Sequence, residues 1–140
     1  MDSDTLSVSP MLSRRCGMSA AARSRSSITP LAMRRVLCER LSESCAAAWQ
    51  AVPPRMLRRA NRCSARIASA RQAAIYFAHV VFAANLTRAG GIFGRDRTTA
   101  RHACSKMEDW RDDRRIDRAF DALEPALKAW LEAFTTGDEP

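Results

Sequence analysis

Arg95, Asp96, Arg97, Thr98, Thr99 and Arg101 follow directly on Gly94, and their types and spacing suit recognition of an anion rather than bond making. Arginine forks match phosphate oxygens and guanine edges, and threonine hydroxyls can donate to phosphates. An aspartate just ahead of a helix accepts from that helix's first backbone N–H groups and sits at the positive end of its dipole. Catalysis has less support. His102 and Cys104 are two residues apart, so they leave a helix on different faces and cannot form a nucleophile and base pair. His79, His102 and the five cysteines (Cys16, Cys38, Cys45, Cys63, Cys104) show no metal-ligand spacing. No enzyme activity, metal or cofactor is expected.

Charge points the same way. The 140 residues carry a formal +8, and the distribution is uneven: Met1 to Cys104 holds 17 Arg against 5 acids, whereas Ser105 to Pro140 holds 6 basic and 10 acidic residues. The basic excess therefore lies upstream of and within the stretch after Gly94, which implies a polyanionic partner. Lysine occurs only at Lys106 and Lys128. The odd cysteine count, with no C-x-x-C pair and no apolar signal core ahead of it, reads as free thiols in a reducing cytoplasm. The longest apolar run, 73–84, is broken by His79 and is too short to cross a bilayer, so no membrane partner is expected.

The elements that must position this set are helical throughout. After Asp96, Ala100, Ala103, Cys104 and Met107 recur at i, i+3, i+4 and i+7 and face inward, leaving Arg97, Thr98, Arg101 and Ser105 outside. Before the turn, Asn85-Leu86-Thr87 gives a break and a cap for a short helix over 88–93, with Ala89 and Ile92 inward and Gly94 closing it. Two short helices around a glycine turn make a helix-turn-helix, whose second helix reads DNA through its N-terminal side chains.

Ile67 to Ala84 is apolar over so wide an arc that it should be the central helix, buried on most sides, with Arg71 and Gln72 at its polar start. Ahead of it, Arg55, Arg58, Arg59, Arg62 and Arg66 form a basic arm able to follow a phosphate backbone or enter a minor groove. Leu31 to Val52 carries a loose apolar stripe ended by Pro53-Pro54, suited to core packing or to a protein partner. Asp113 to Phe134 is an amphipathic lid whose Pro125 should kink or restart the helix and push Glu124 out of the helical region. Residues 1–30, rich in Ser and Arg, read as a disordered basic arm. The expected organisation is a disordered arm over 1–30, a helix and basic linker over 31–66, an all-α helix-turn-helix domain over 67–134 and a tail over 135–140.

The run Gly94-Arg95-Asp96-Arg97-Thr98-Thr99-Ala100-Arg101-His102-Ala103 resembles the signature G-R-D-H-T-T-V-L-H-A of the C-terminal DNA-binding domain of the bacterial replication initiator DnaA, matching at seven of ten positions. The order of flanking elements is similar too, with Arg71-Gln72 opening the preceding apolar helix. The resemblance implies an all-helical domain on a short, asymmetric, A·T-rich box, with the turn-helix in the major groove and a basic loop at the minor groove. Residue by residue it implies base reading by Asp96, Arg97 and Thr98, a phosphate contact by Thr99, and contacts from Arg71 and Gln72. Thr87, Arg95 and Arg101 complete the expected DNA-binding set with Arg58, Arg59, Arg62 and Arg66.

Departures from the pattern bear on specificity. The family usually has two glycines before its Arg-Asp, whereas only Gly94 stands here, and Arg97 replaces a base-reading histidine, which shifts preference toward guanine. Arg101 replaces a leucine and adds a phosphate contact. By spacing, the family's minor-groove arginine falls on Cys63, between Arg62 and Arg66. The ATPase module of DnaA needs a G-x-x-x-x-G-K-[ST] loop, and none occurs, so no nucleotide is expected. The expected function is sequence-specific binding of double-stranded DNA at initiator-like boxes, regulating replication or transcription in a nucleoid-associated, cytoplasmic protein. The alternative is a non-catalytic module in which the helix-turn-helix docks a protein.

Overall fold

The computed structural model describes residues 30–60 and 63–136. The expected basic arm over 1–30, apart from Pro30, the final four residues of the tail, and Arg62 all lie outside the described residues. Every regular element among them is helical, in the order α1 (Pro30–Trp49), a 3₁₀ turn (Pro54–Met56), α2 (Ala65–Tyr76) running on into a π-helical turn (Phe77–Val81), α3 (Leu86–Gly91), α4 (Arg97–Trp110) and α5 (Arg114–Thr136).

The centre is α2, packed on α1 from one side and α4 from the other. Alanine makes this possible. Ala70, Ala73, Ala74 and Ala78 are buried along the central helix, answered by Ala46 and Ala47 on α1 and by Ala100 and Ala103 on α4. Side chains this small let helix backbones approach closely, and the larger volume is supplied at one end by rings. Phe120 stacks on Phe77 at 5.0 Å and meets Trp49 and Tyr76 edge-on, while Trp49 meets Trp110 at 6.0 Å. The segment 31–66, expected as helix and linker, contributes Ala46, Ala47 and the fully buried Leu57 to the same core.

Three local expectations are altered. The central helix does not reach Ala84 in regular form: it widens at Phe77 and stops at Phe82, where Ala83 takes a left-handed φ of 55°. The end is closed by Ala84 N–H donating to the Ala78 carbonyl at 3.0 Å and by His79 Nδ1 against the Ala84 carbonyl at 2.7 Å. α1 ends in the same manner, with Ala51 at φ 53° and Val52 N–H on the Ala47 carbonyl. The short helix before the turn begins at Leu86 rather than Arg88, because Asn85 Oδ1 caps the Arg88 N–H at 2.8 Å.

α5 runs unbroken through Pro125, and Glu124 is helical, not expelled. Pro125 is on the exposed side, so the carbonyl deprived of its N–H partner faces water and the helix continues. Phe120, Leu127 and Leu131 cover the core as expected, but Trp130 and Phe134, 59% and 57% exposed, stand outside it.

Four described cysteines are free of disulfides. Cys104 is buried between α4 and its neighbours, and burial, with a smaller contribution from Glu108, pushes its thiol up to about 11. At pH 8 the native protein should therefore leave Cys104 unalkylated by iodoacetamide and react there only in denaturant, as read by peptide mass. Native labelling of Cys104 at the rate of a free thiol would mean that α4 opens away from α2.

Candidate nucleic-acid interface

α3 and α4 meet at a turn whose geometry is dictated by two glycines. Gly90 is buried, and a β-carbon there would lie 2.8 Å from the Arg95 carbonyl oxygen, 2.9 Å from that of Asp96 and 3.1 Å from Ala100 Cβ. Its own carbonyl accepts from Phe93 N–H at 3.0 Å and Arg95 N–H at 2.9 Å. Gly94 takes φ +64°, which lets the chain reverse without a steric penalty. Phe93, 2% exposed, plugs the turn.

From that turn α4 starts on Asp96, whose Oδ1 accepts from Thr99 N–H at 2.6 Å. Hydrogen bonds from the Thr99 side chain and backbone hold the Asp96 carboxyl below the usual carboxylate range. The inward four, Ala100, Ala103, Cys104 and Met107, are all buried, so the helix cannot rotate about its axis. Arg97, Thr98, Thr99 and Arg101 are consequently exposed, as is Asp96, and Arg95 is half-buried beside them.

Between α4 and the start of α2 lies a cavity of about 130 Å³, lined among others by Arg71, Gln72, Arg95, Thr99 and His102. Gln72 Oε1 is fully enclosed and has no hydrogen-bond partner. His102, one turn beyond Thr98 on α4, is exposed at the rim of this cavity.

The basic loop before α2 reaches the same place by way of Arg71. This residue is 8% exposed, and its guanidinium donates from Nε to the Leu57 carbonyl at 2.6 Å and from Nη2 to the Arg59 carbonyl at 2.9 Å and Cys63 Sγ at 3.2 Å. The fork, expected as a DNA contact, holds the loop in the free protein. Arg58 is exposed but tied to the protein as well. Its guanidinium grips Glu43 of α1 at 2.8 and 3.1 Å and lies 5.9 Å over the Phe93 ring. The hydrogen bond to Glu43 raises the Arg58 guanidinium above its ordinary value. Arg59, Arg66 and Thr87 are exposed, and Arg88 of α3 pairs with Glu39 at 3.4 Å.

Two residues that matter here were absent from the sequence-based set, Gly90 and Glu43. Glu43 was legible in one respect, since only Glu39 and Glu43 interrupt the basic run between Asp4 and Asp96.

Two short helices locked at a close glycine turn, with the second helix's capped leading end free and basic, define a helix-turn-helix DNA-binding domain. Residues 47–107 match the family described as bacterial DnaA protein helix-turn-helix, so the chain carries a DNA-binding domain of that family. The matched span runs from the last turn of α1 to Met107 and takes in the basic loop. No curated protein and no solved structure matches the chain. No described helix is long and apolar enough to cross a membrane.

Proposed function

We propose that the protein binds duplex DNA sequence-specifically, at short asymmetric A·T-rich boxes of the kind DnaA domains recognise, and that occupancy of such boxes on the chromosome tunes replication initiation or transcription. The observation that carries this reading is the leading end of α4, where Arg97, Thr98, Thr99 and Arg101 are exposed while the opposite face is buried. Asp96, Arg97 and Thr98 read base edges, and Thr99, Arg95, Arg101, Gln72 and Thr87 meet phosphates. Arg59, Arg62 and Arg66 follow the backbone or enter the minor groove.

Fluorescence anisotropy on a duplex bearing an initiator-type box, against a shuffled duplex of equal composition, tests the reading. Arg97→Ala should narrow the preference for the box by about 1–3 kcal/mol, the worth of one bidentate base contact. With about five phosphates neutralised, the slope of log K against log salt should be about −4 to −5. Equal affinity for box and shuffled duplex, unmoved by Arg97→Ala, would sink the proposal. Mapping occupied chromosomal sites then separates the two roles, enrichment at the origin indicating replication and enrichment at promoters transcription.

A second reading, docking of a protein partner through α1, is favoured by Leu31, Met33 and Val36, each more than two-fifths exposed. It concerns a different surface and is compatible with the first.

A further inference from the structure

The basic loop between α1 and α2 is tied at two places by groups that do not face solvent. From α2, the Arg71 fork takes the carbonyls of Leu57 and Arg59 and the sulfur of Cys63, so it ties the second half of the loop to the helix that follows. From α1, the carboxylate of Glu43, 2% exposed, holds Arg58 by both oxygens, with Arg40 Nη1 a further 3.4 Å from Oε2. Arg58 in turn covers the ring of Phe93, the plug of the turn that aims α4. Leu57 between the two ties is fully buried. The loop is thus bonded to both sides of the binding surface, the α2 end and the turn before α4.

We propose that Glu43 and Arg71 are positioning residues for DNA binding: they hold the loop carrying Arg59 in register with the leading end of α4 and act on binding through that loop. The proposal rests on the DNA-binding reading above and adds how the loop and α4 are presented together. Its consequence runs against charge. Glu43 is an acid in a protein that binds a polyanion, so removing its charge should strengthen binding if only net charge mattered. If it positions the loop, removal weakens binding, because the ordering of Arg59 must then be supplied on association. Arg71→Lys gives the complementary case: charge is kept, but a point-like ammonium cannot span two carbonyls and a sulfur.

Affinity for a duplex bearing an initiator-type box is measured across a salt series for the parent, Glu43→Gln, Arg71→Lys and Arg59→Ala, with circular dichroism confirming the folded state. Glu43→Gln and Arg71→Lys should each bind about tenfold more weakly, the worth of one charged hydrogen bond, with salt slopes equal to the parent's. Arg59→Ala should instead flatten the slope by about one. Binding by Glu43→Gln as tight as the parent's or tighter, or full affinity in Arg71→Lys, overturns the proposal. Hydrogen exchange on the unmodified protein decides the matter should either variant lose its fold. Protection of the Leu57 and Arg59 amides without DNA supports a preformed loop, whereas free-peptide rates that slow only when duplex is added overturn it. A parent protein with no preference among duplexes would overturn the underlying DNA-binding reading instead, so the two failures are distinguishable.

Discussion

Arg111→Ala lowers the unfolding free energy by about 2–3 kcal/mol, less than the full cost of stranding a buried ion pair because its partners are partly wet. Arg111 sits in the turn from α4 to α5, and its guanidinium meets Asp117 at 2.9 Å, Asp121 at 2.6 Å, Glu124 at 2.6 Å and the Tyr76 hydroxyl at 2.9 Å. One cation therefore pins the first half of α5 to the end of α2. Without it three carboxylates on one stretch of helix face each other and the tyrosine, and α5 loses a charged tie to the end of the central helix. Thermal unfolding should show a midpoint lower by about 10 °C for a domain of this size. The deficit should shrink in high salt, which screens the carboxylates from one another. Arg111→Lys recovers a minor part, since an ammonium cannot meet four oxygens in a plane. Arg114→Ala, on the exposed start of α5, should stay within about 0.5 kcal/mol of the parent. A midpoint in Arg111→Ala equal to that of Arg114→Ala would show that the cluster carries no stability.

The contrast between Arg111 or Arg71 and the arginines of α4 explains which parts of the site were legible in advance. On α4 the decisive quantity is local. Ala100, Ala103, Cys104 and Met107 repeat at helical spacing, their burial follows, and the exposure of Arg97, Thr98 and Arg101 is a corollary. Asp96 as cap is local as well, needing only the three residues to Thr99. Arg58 and Arg71 look no different from Arg59 in the sequence, because their partners, Glu43 and the Leu57 carbonyl, lie 15 and 14 residues away. Only tertiary packing brings those groups within reach.

Backbone features divide along the same line. Gly94 announces a left-handed turn by its type, whereas Ala51 and Ala83 take the same conformation with nothing in their type to signal it. An alanine held there costs about 1–2 kcal/mol, which the closing hydrogen bonds on Ala47 and Ala78 and the neighbouring core offset. Pro125 is the opposite case, a strong local stop signal overruled because the lost N–H falls on the wet side of α5 while Phe120, Leu127 and Leu131 anchor the buried side.

Gly90→Ala and Gly91→Ala, adjacent substitutions of the same size in the same short helix, should act with opposite signs. At Gly91 a methyl group meets nothing within 4 Å, so the helix gains the better propensity of alanine, about 0.5–1 kcal/mol, and DNA binding is unchanged. At Gly90 the methyl is driven against the carbonyls of Arg95 and Asp96, backbone atoms that cannot rotate aside. Relief requires α3 and the start of α4 to separate, which strains the hydrogen bonds from Phe93 and Arg95 to the Gly90 carbonyl and costs about 1–3 kcal/mol. Because the displaced atoms are the cap of α4, the movement carries Arg97 and Thr98 with it. Box preference should then fall by at least the about 1–3 kcal/mol of one base contact, even at temperatures where the variant is fully folded. Gly94→Ala lies between them: its surroundings are open, but φ +64° makes the methyl cost about 1–2 kcal/mol with no displacement of α4. Binding by folded Gly90→Ala that matches the parent on both box and shuffled duplex would mean that the tight α3–α4 crossing serves stability alone.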